Sequence, residues 1–102
     1  FLDCFSETEA VSILTRTRRA MTQNSRLAVL EPIVDEQRHR AAELSLAATS
    51  LYFTVLANGN SKFFNGAELR RIFAAAGFAI ESEHPDLGVS HTLFILRPEN
   101  AF

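Results

Sequence analysis

Two acidic residues stand at the ends of short apolar runs, and their type and placement suit proton chemistry. Asp3 follows Phe1-Leu2; Glu31 follows Leu27-Ala28-Val29-Leu30 and precedes Pro32. If such runs form strands of an open parallel sheet, ligands collect at their carboxyl ends. Two carboxylates sharing that site repel each other and lose hydration. The pair then titrates above the reference of about 4 and can take a proton from an acidic hydroxyl. The plainer reading of Asp3 is a strand-end carboxylate that caps local amides. Other reactive side chains are scattered. Cys4 is the single cysteine, so no internal disulfide forms, and its neighbours Leu2 and Phe5 predict a buried, inert thiol. His39, His84 and His91 lie far apart with no second ligand at metal spacing, so no metal site is expected. His91 reads as a strand residue satisfied by a neighbour, and Arg16, Arg18 and Arg19 read as a solvated helix face.

Composition bounds what surrounds these groups. The 102 residues, 47% of them hydrophobic, suffice for one small domain with a poor surface-to-volume ratio. The formal net charge of −2 gives no reason to expect nucleic acid or an anionic membrane as partner. No apolar run approaches the ~20 residues that span a bilayer, and no signal-peptide pattern opens the chain. A cytoplasmic protein is expected. The sequence has no initiator Met and opens within an α/β unit, which predicts a piece of a longer polypeptide.

The elements that would position the carboxylates follow from spacing. Ser6 and Glu9 form a capping box that opens a helix, with Ala10, Val11, Ile13, Leu14 and Met21 along one face. Thr22-Gln23-Asn24-Ser25 breaks it. Leu27 to Leu30 reads as a strand covered on both faces, ended at Pro32. Asp35 to about Leu56 reads as a long helix in which Leu44, Ala48, Leu51 and Val55 share a face, closed by Asn58-Gly59-Asn60-Ser61. Asn65 and Glu68 cap a further helix with a stripe of Leu69, Ile72, Phe73 and Ala76, and Gly77 ends it. Phe78 to Glu83 is a strand, residues 84–88 a turn, and Thr92 to Leu96 a last strand ended by Pro98. The order is strand, helix, strand, helix, helix, strand, strand. The front half predicts parallel pairing through helical crossovers, and the last two strands an antiparallel pair.

Taken in order, these motifs resemble the C-terminal part of the catalytic domain of S-adenosylmethionine-dependent O-methyltransferases of the plant and bacterial small-molecule type. The residues that carry the resemblance are Leu2-Asp3-Cys4-Phe5-Ser6-Glu7, Glu31-Pro32, Asn58-Gly59-Asn60-Ser61-Lys62 and Ala76-Gly77-Phe78. The resemblance implies an α/β fold, the C-terminal half of a Rossmann-like methyltransferase sheet: two parallel strands with helices, then an antiparallel strand pair. It implies S-adenosylmethionine as cofactor of the parent protein, a small hydroxylated acceptor and a homodimeric parent, with no nucleic acid or membrane as partner. The family's glycine-rich cofactor loop and N-terminal dimerisation domain have no counterpart in residues 1–102, so the segment alone is expected to be inactive.

Residue by residue, the resemblance makes Asp3 and Glu31 the catalytic candidates. Many members of the family have histidine where Asp3 stands, held by the glutamate that matches Glu31. A second flanking glutamate falls on Phe63, and this departure motivates the alternative, a catalytically degenerate binding or regulatory module. Phe5 matches an aromatic packed against the cofactor's adenine, with core packing under the first helix as its other reading. Thr54 and Asn58 match acceptor-pocket positions. Tyr52 and Phe53 either shape that pocket or serve as core aromatics. A different Rossmann-type domain is a third reading, separated from the first by whether a glycine-rich loop precedes Phe1 in the parent.

Overall fold

Capping chemistry sets the helices and one left-handed glycine sets the hairpin that packs on them. The structure is a computed structural model that describes residues 1–52, 63–88 and 90–99. Helix α1 spans Glu7–Arg19. Ser6 Oγ accepts from the Glu9 amide at 3.2 Å, and the Ser6 amide donates to Glu9 Oε1 at 3.1 Å. Both orphan donors are thereby satisfied. Arg16, Arg18 and Arg19 occupy the last turn, where positive charge suits the helix dipole. Arg16 and Arg19 are exposed, whereas Arg18 docks its Nε on the Gly77 carbonyl at 3.0 Å. Strand β1 (Leu27–Pro32), helix α2 (Arg40–Tyr52), helix α3 (Gly66–Ala75), strand β2 (Phe78–Leu87) and strand β3 (His91–Pro98) follow.

Helix α3 repeats the capping box, with Asn65 Oδ1 accepting from the Glu68 amide at 2.8 Å and the Asn65 amide donating to Glu68 Oε1 at 3.1 Å. It stops at Gly77, whose φ of 86° is a left-handed value that a side chain disfavours. The chain then turns directly into β2. The β2–β3 hairpin closes through Asp86 and Gly88, both at φ 62°.

The sheet order is β1-β3-β2, and both pairings are antiparallel. The pair formed by the last two strands agrees with the sequence reading. The two parallel strands do not: the described residues contain no parallel pair, and no strand precedes α1. Leu2–Cys4 is instead a turn of 3-10 helix, closed by Cys4 N to Phe1 O and Phe5 N to Leu2 O, each at 3.1 Å. The Leu2 amide, which a strand would give to a ladder, goes to the Glu31 side chain at 3.0 Å. β3 reaches β1 by returning along the β2 hairpin, and so arrives antiparallel to both.

Two boundaries also move. The helix expected from Asp35 begins at Arg40, because residues 35–37 are engaged elsewhere. Asp35 Oδ1 accepts from the Gly66 amide at 2.8 Å, at the start of α3, and Gln37 Nε2 donates to the Ser90 carbonyl at 3.0 Å. β2 runs through the expected turn to Leu87, with register shifts between Ile80 and Ser82 and between His84 and Leu87.

The core lies between the helices and one face of the sheet. Leu14 of α1, Leu69, Ile72 and Phe73 of α3, and Val29, Phe78, Phe94 and Leu96 of the strands form one buried cluster with Leu2 and Ile33. The Phe73 and Phe94 rings meet edge-on, 5.1 Å between centroids at 66°. Arg70 ties α3 to its surroundings through Glu36 at 2.7 Å and Glu83 at 2.8 Å.

Candidate functional site

The register of β1 on β3 decides what surrounds Glu31. Residues two apart on a strand share a face, so the partnered pairs Leu27–Leu96, Val29–Phe94 and Glu31–Thr92 form one inward ladder. The ladder is apolar for two rungs and polar at the third. Glu31 and Thr92 are 3% and 6% exposed, and among the described residues they are the two polar side chains that the fold buries. They stand at the carboxyl end of β1, under the 3-10 turn that carries Asp3.

Asp3 and Glu31 are brought together there. Glu31 Oε1 accepts from the Leu2 amide at 3.0 Å, in the turn that carries Asp3, and the Asp3 charge acts on the Glu31 carboxyl. Burial pushes the Glu31 carboxyl above its ordinary value; the Asp3 charge adds to the rise and the Leu2 amide opposes it. A carboxylic acid moved up in this way holds its proton more tightly and is the stronger base when ionised.

The other candidates divide. Phe5 is half-buried, and its ring meets Phe1 edge-on at 5.3 Å and 66°. The turn that would bury Cys4 leaves it exposed instead, since in 3-10 geometry Leu2 takes the inward position. Its Sγ lies 3.7 Å from Asp3 Oδ1. His91 is a β3 residue with Nδ1 3.2 Å from Ser90 Oγ. Phe63 gives its amide to Ser50 Oγ at 2.9 Å. Thr54, Asn58 and Phe53 lie outside the described residues. A cleft of about 230 Å³, lined mainly by Phe1, Leu2, Ile13, Leu14, Val29 and Glu31, opens between α1 and β1. Among the described residues no three His, Cys, Asp or Glu side chains converge, and no helix is long and apolar enough to cross a membrane.

Thr92 was not a candidate from the sequence. Its signal was the alternation Thr92, Phe94, Leu96, which puts the threonine on the core face; what the sequence lacked was the strand that pairs with it.

No family sequence model matches the chain, and no curated protein matches it by sequence. Solved structures match its fold. They are O-methyltransferases and related small-molecule methyltransferases, aligned over the C-terminal part of their chains. The N,N-8-amino-8-demethyl-D-riboflavin dimethyltransferase RosA from Streptomyces davawensis is 25% identical with a TM-score of 0.74, over 95% of this chain and 27% of its own. The mitomycin 7-O-methyltransferase MmcR is 23% identical with a TM-score of 0.77, over 96% of this chain and 27% of its own. The methyltransferase CalO6 is 21% identical with a TM-score of 0.79, over 94% and 32%. The chain therefore spans between a quarter and a third of the length of these three structures.

Proposed function

We propose that this chain is the C-terminal part of the catalytic domain of an S-adenosylmethionine-dependent O-methyltransferase, and that the parent methylates a small hydroxylated acceptor. The observation that carries the reading is that 95% or more of the chain follows the C-terminal part of small-molecule methyltransferases while placing Glu31, buried, beside Asp3 at the carboxyl end of β1. The cofactor is inferred from the same likeness. A further structure of this fold, OxaC, was solved with sinefungin, an analogue of S-adenosylmethionine, and with meleagrin.

The residues of the chain fit part of that cofactor's needs. Phe5 is a half-buried aromatic set edge-on against Phe1 and would meet a planar ring. No Gly-x-Gly-x-Gly occurs in residues 1–102, so the amide cradle for the amino-acid end belongs to another part of the parent. When bound, S-adenosylmethionine supplies an electrophilic methyl group. The chain's own part is acid–base work and shape. Asp3, the less buried of the two carboxylates at 20% side-chain exposure against 4%, takes the acceptor's hydroxyl proton. Glu31, its own carboxyl raised by burial, stands behind it in the site. Thr54 and Asn58 are assigned to the acceptor pocket through the family likeness.

The test uses the full-length parent with labelled S-adenosylmethionine and a panel of small phenols. Asp3→Asn should lower turnover by roughly two to four orders of magnitude, the range for losing a general base, with cofactor affinity little changed. Intact turnover in Asp3→Asn, with loss in Thr54 or Asn58 variants, would assign catalysis to positioning and leave Asp3 a cap. No methyl transfer across the panel would favour the degenerate module.

A further inference from the structure

Helices α1 and α2 turn opposite kinds of surface to water. The exposed positions of α1 are Thr8, Glu9, Ser12, Arg16 and Arg19, so its outer face is polar throughout, as a surface helix requires. On α2 the exposed positions include Ala41, Leu44, Ala47, Ala48 and Leu51. Steps of three and four put these five on one side of the helix. The less exposed side carries Ala42 and Leu46, but also Thr49 and Ser50. No charged residue follows Glu43 in α2. Its amphipathicity is inverted: the apolar face is the one in water. Single exposed apolar residues are ordinary on a protein surface, whereas a contiguous stripe marks a place that a partner covers.

We propose that this stripe seats a second helix, supplied by the part of the full-length parent outside residues 1–102. Spacing selects a helix over a strand, because residues repeated by three and four form a ridge that fits the grooves of another helix. The alternation of alanine and leucine lets the two axes come close, with room for large side chains of the partner opposite Ala41 and Ala48. Beside Leu51 a groove of about 380 Å³, with Val34, Ala47 and Phe63 in its walls, takes one such side chain. The partner face is therefore uncharged and carries bulky aliphatic or aromatic residues at the same spacing. Its source follows from length. The solved methyltransferases give 27–32% of their own chains to what this chain spans, so most of the parent is free to supply the cover. The inference rests on the methyltransferase reading and adds to it the surface on which the rest of the parent docks.

Cysteine labelling of the full-length parent tests this. With the other cysteines replaced, Cys4→Ser included, Leu44→Cys and Leu51→Cys stand on the stripe, and Glu43→Cys beside it is an exposed reference. In the parent the first two should react with a thiol reagent roughly tenfold or more slowly than the third, because reaction waits on local opening. In the 102-residue chain all three should react within about threefold of one another, since all are exposed. Equal rates in the parent overturn the proposal. Slow labelling at 44 and 51 in the 102-residue chain does so too, because the cover would then lie within it. Protection that dilution of the parent abolishes would assign the stripe to a second copy, which overturns the choice of occupant. Should the cysteine background not fold, Ala48→Glu decides: it should lower the denaturation midpoint of the parent and leave that of the 102-residue chain unchanged, and an unchanged midpoint in both overturns the docking. A parent that protects the stripe but transfers no methyl keeps the docking surface and loses the enzyme reading; one that transfers methyl with the stripe open does the reverse.

Discussion

Along α3, Leu69 and Ile72 are fully buried and Phe73 is 1% exposed; along α2, Leu44 and Leu51 stand 56% and 65% exposed. Both helices carry apolar residues at helical spacing. The difference lies in what each helix has beside it. α3 is followed at once by Gly77, and the left-handed turn sends β2 back beside it, so the stripe meets Phe78, Phe94 and Leu96. α2 follows a loop whose polar side chains are tied elsewhere, through Asp35 to Gly66 and Gln37 to Ser90. Within the described residues only Ala42 of α2 is buried. Periodicity states which residues share a face; a neighbouring element decides whether that face leaves water.

The sharpest way to break this comparison is to remove the side chain on which the covered stripe centres. Phe73 lies against Phe94 in the core, and Phe73→Ala leaves a phenyl-sized void there. Such truncations cost about 3–5 kcal/mol, much of the 5–15 kcal/mol that holds a typical domain. Urea denaturation followed by circular dichroism should find the variant largely unfolded or its midpoint strongly lowered. A loss under about 1 kcal/mol would mean that α3 is no better covered than α2.

Next in size is the turn that delivers the cover. At Gly77 a Cβ would sit 2.8 Å from Arg18 Nε, the atom that donates to the Gly77 carbonyl, and φ is already left-handed. Gly88 shares the left-handed φ but has nothing within 4 Å. Gly88→Ala should therefore cost only the backbone term, roughly 1–2 kcal/mol. Gly77→Ala should cost more, because it also pushes the Arg18 side chain of α1 off the Gly77 carbonyl. Equal losses in the same denaturation assay would remove Arg18 docking from the account.

Glu31 supplies a pH-dependent member of the series. Its folded carboxyl is raised above the ordinary value of 4.5, chiefly by burial. Between that value and the raised one the folded chain binds more protons than the unfolded chain, so stability falls as pH rises through the window. One proton limits the slope to about 1.4 kcal/mol per pH unit. Glu31→Gln should flatten it, as read from denaturation midpoints across the acid range. A wild-type stability that rises with pH there, with a slope abolished by Glu31→Gln, would contradict the sign.

What the sequence could disclose follows the same division. Local chemistry was legible: both capping boxes, the Gly77 cap and the final antiparallel pair depend on residues a few positions apart, and Ser6–Glu9 and Asn65–Glu68 form as spaced. Long-range partnership was not. Leu2–Cys4 has the composition of a strand end, yet its amide goes to a side chain 29 residues away, and the parallel pair expected there is absent from the described residues. Asp3 and Glu31 are legible from their places at run ends, and the fold sets Asp3 close enough for its charge to act on the Glu31 carboxyl. Thr92 carries no such signal, because its burial opposite Glu31 arises from register alone, which no residue type announces.

The smallest expected effect is the most direct test of the exposed side of the comparison. Leu51 is 65% exposed on α2, so a lysine there would keep its stem along the helix and its ammonium in water. Helix propensity hardly changes between leucine and lysine. Leu51→Lys should therefore alter the stability of the 102-residue chain by no more than about 0.5 kcal/mol, the usual range for surface substitutions. Leu44→Lys, at 56% exposure, should behave alike, and the double variant should be additive, since neither site depends on a shared cavity. Denaturation midpoints at two protein concentrations separated tenfold would measure this. A loss above roughly 1.5 kcal/mol in either variant, beyond what surface sites give, would show that something covers the stripe in solution. If that loss grows with concentration in the parent chain's favour, the cover is a second copy. If it does not, residues of the same chain pack over α2, and the contrast with α3 would disappear.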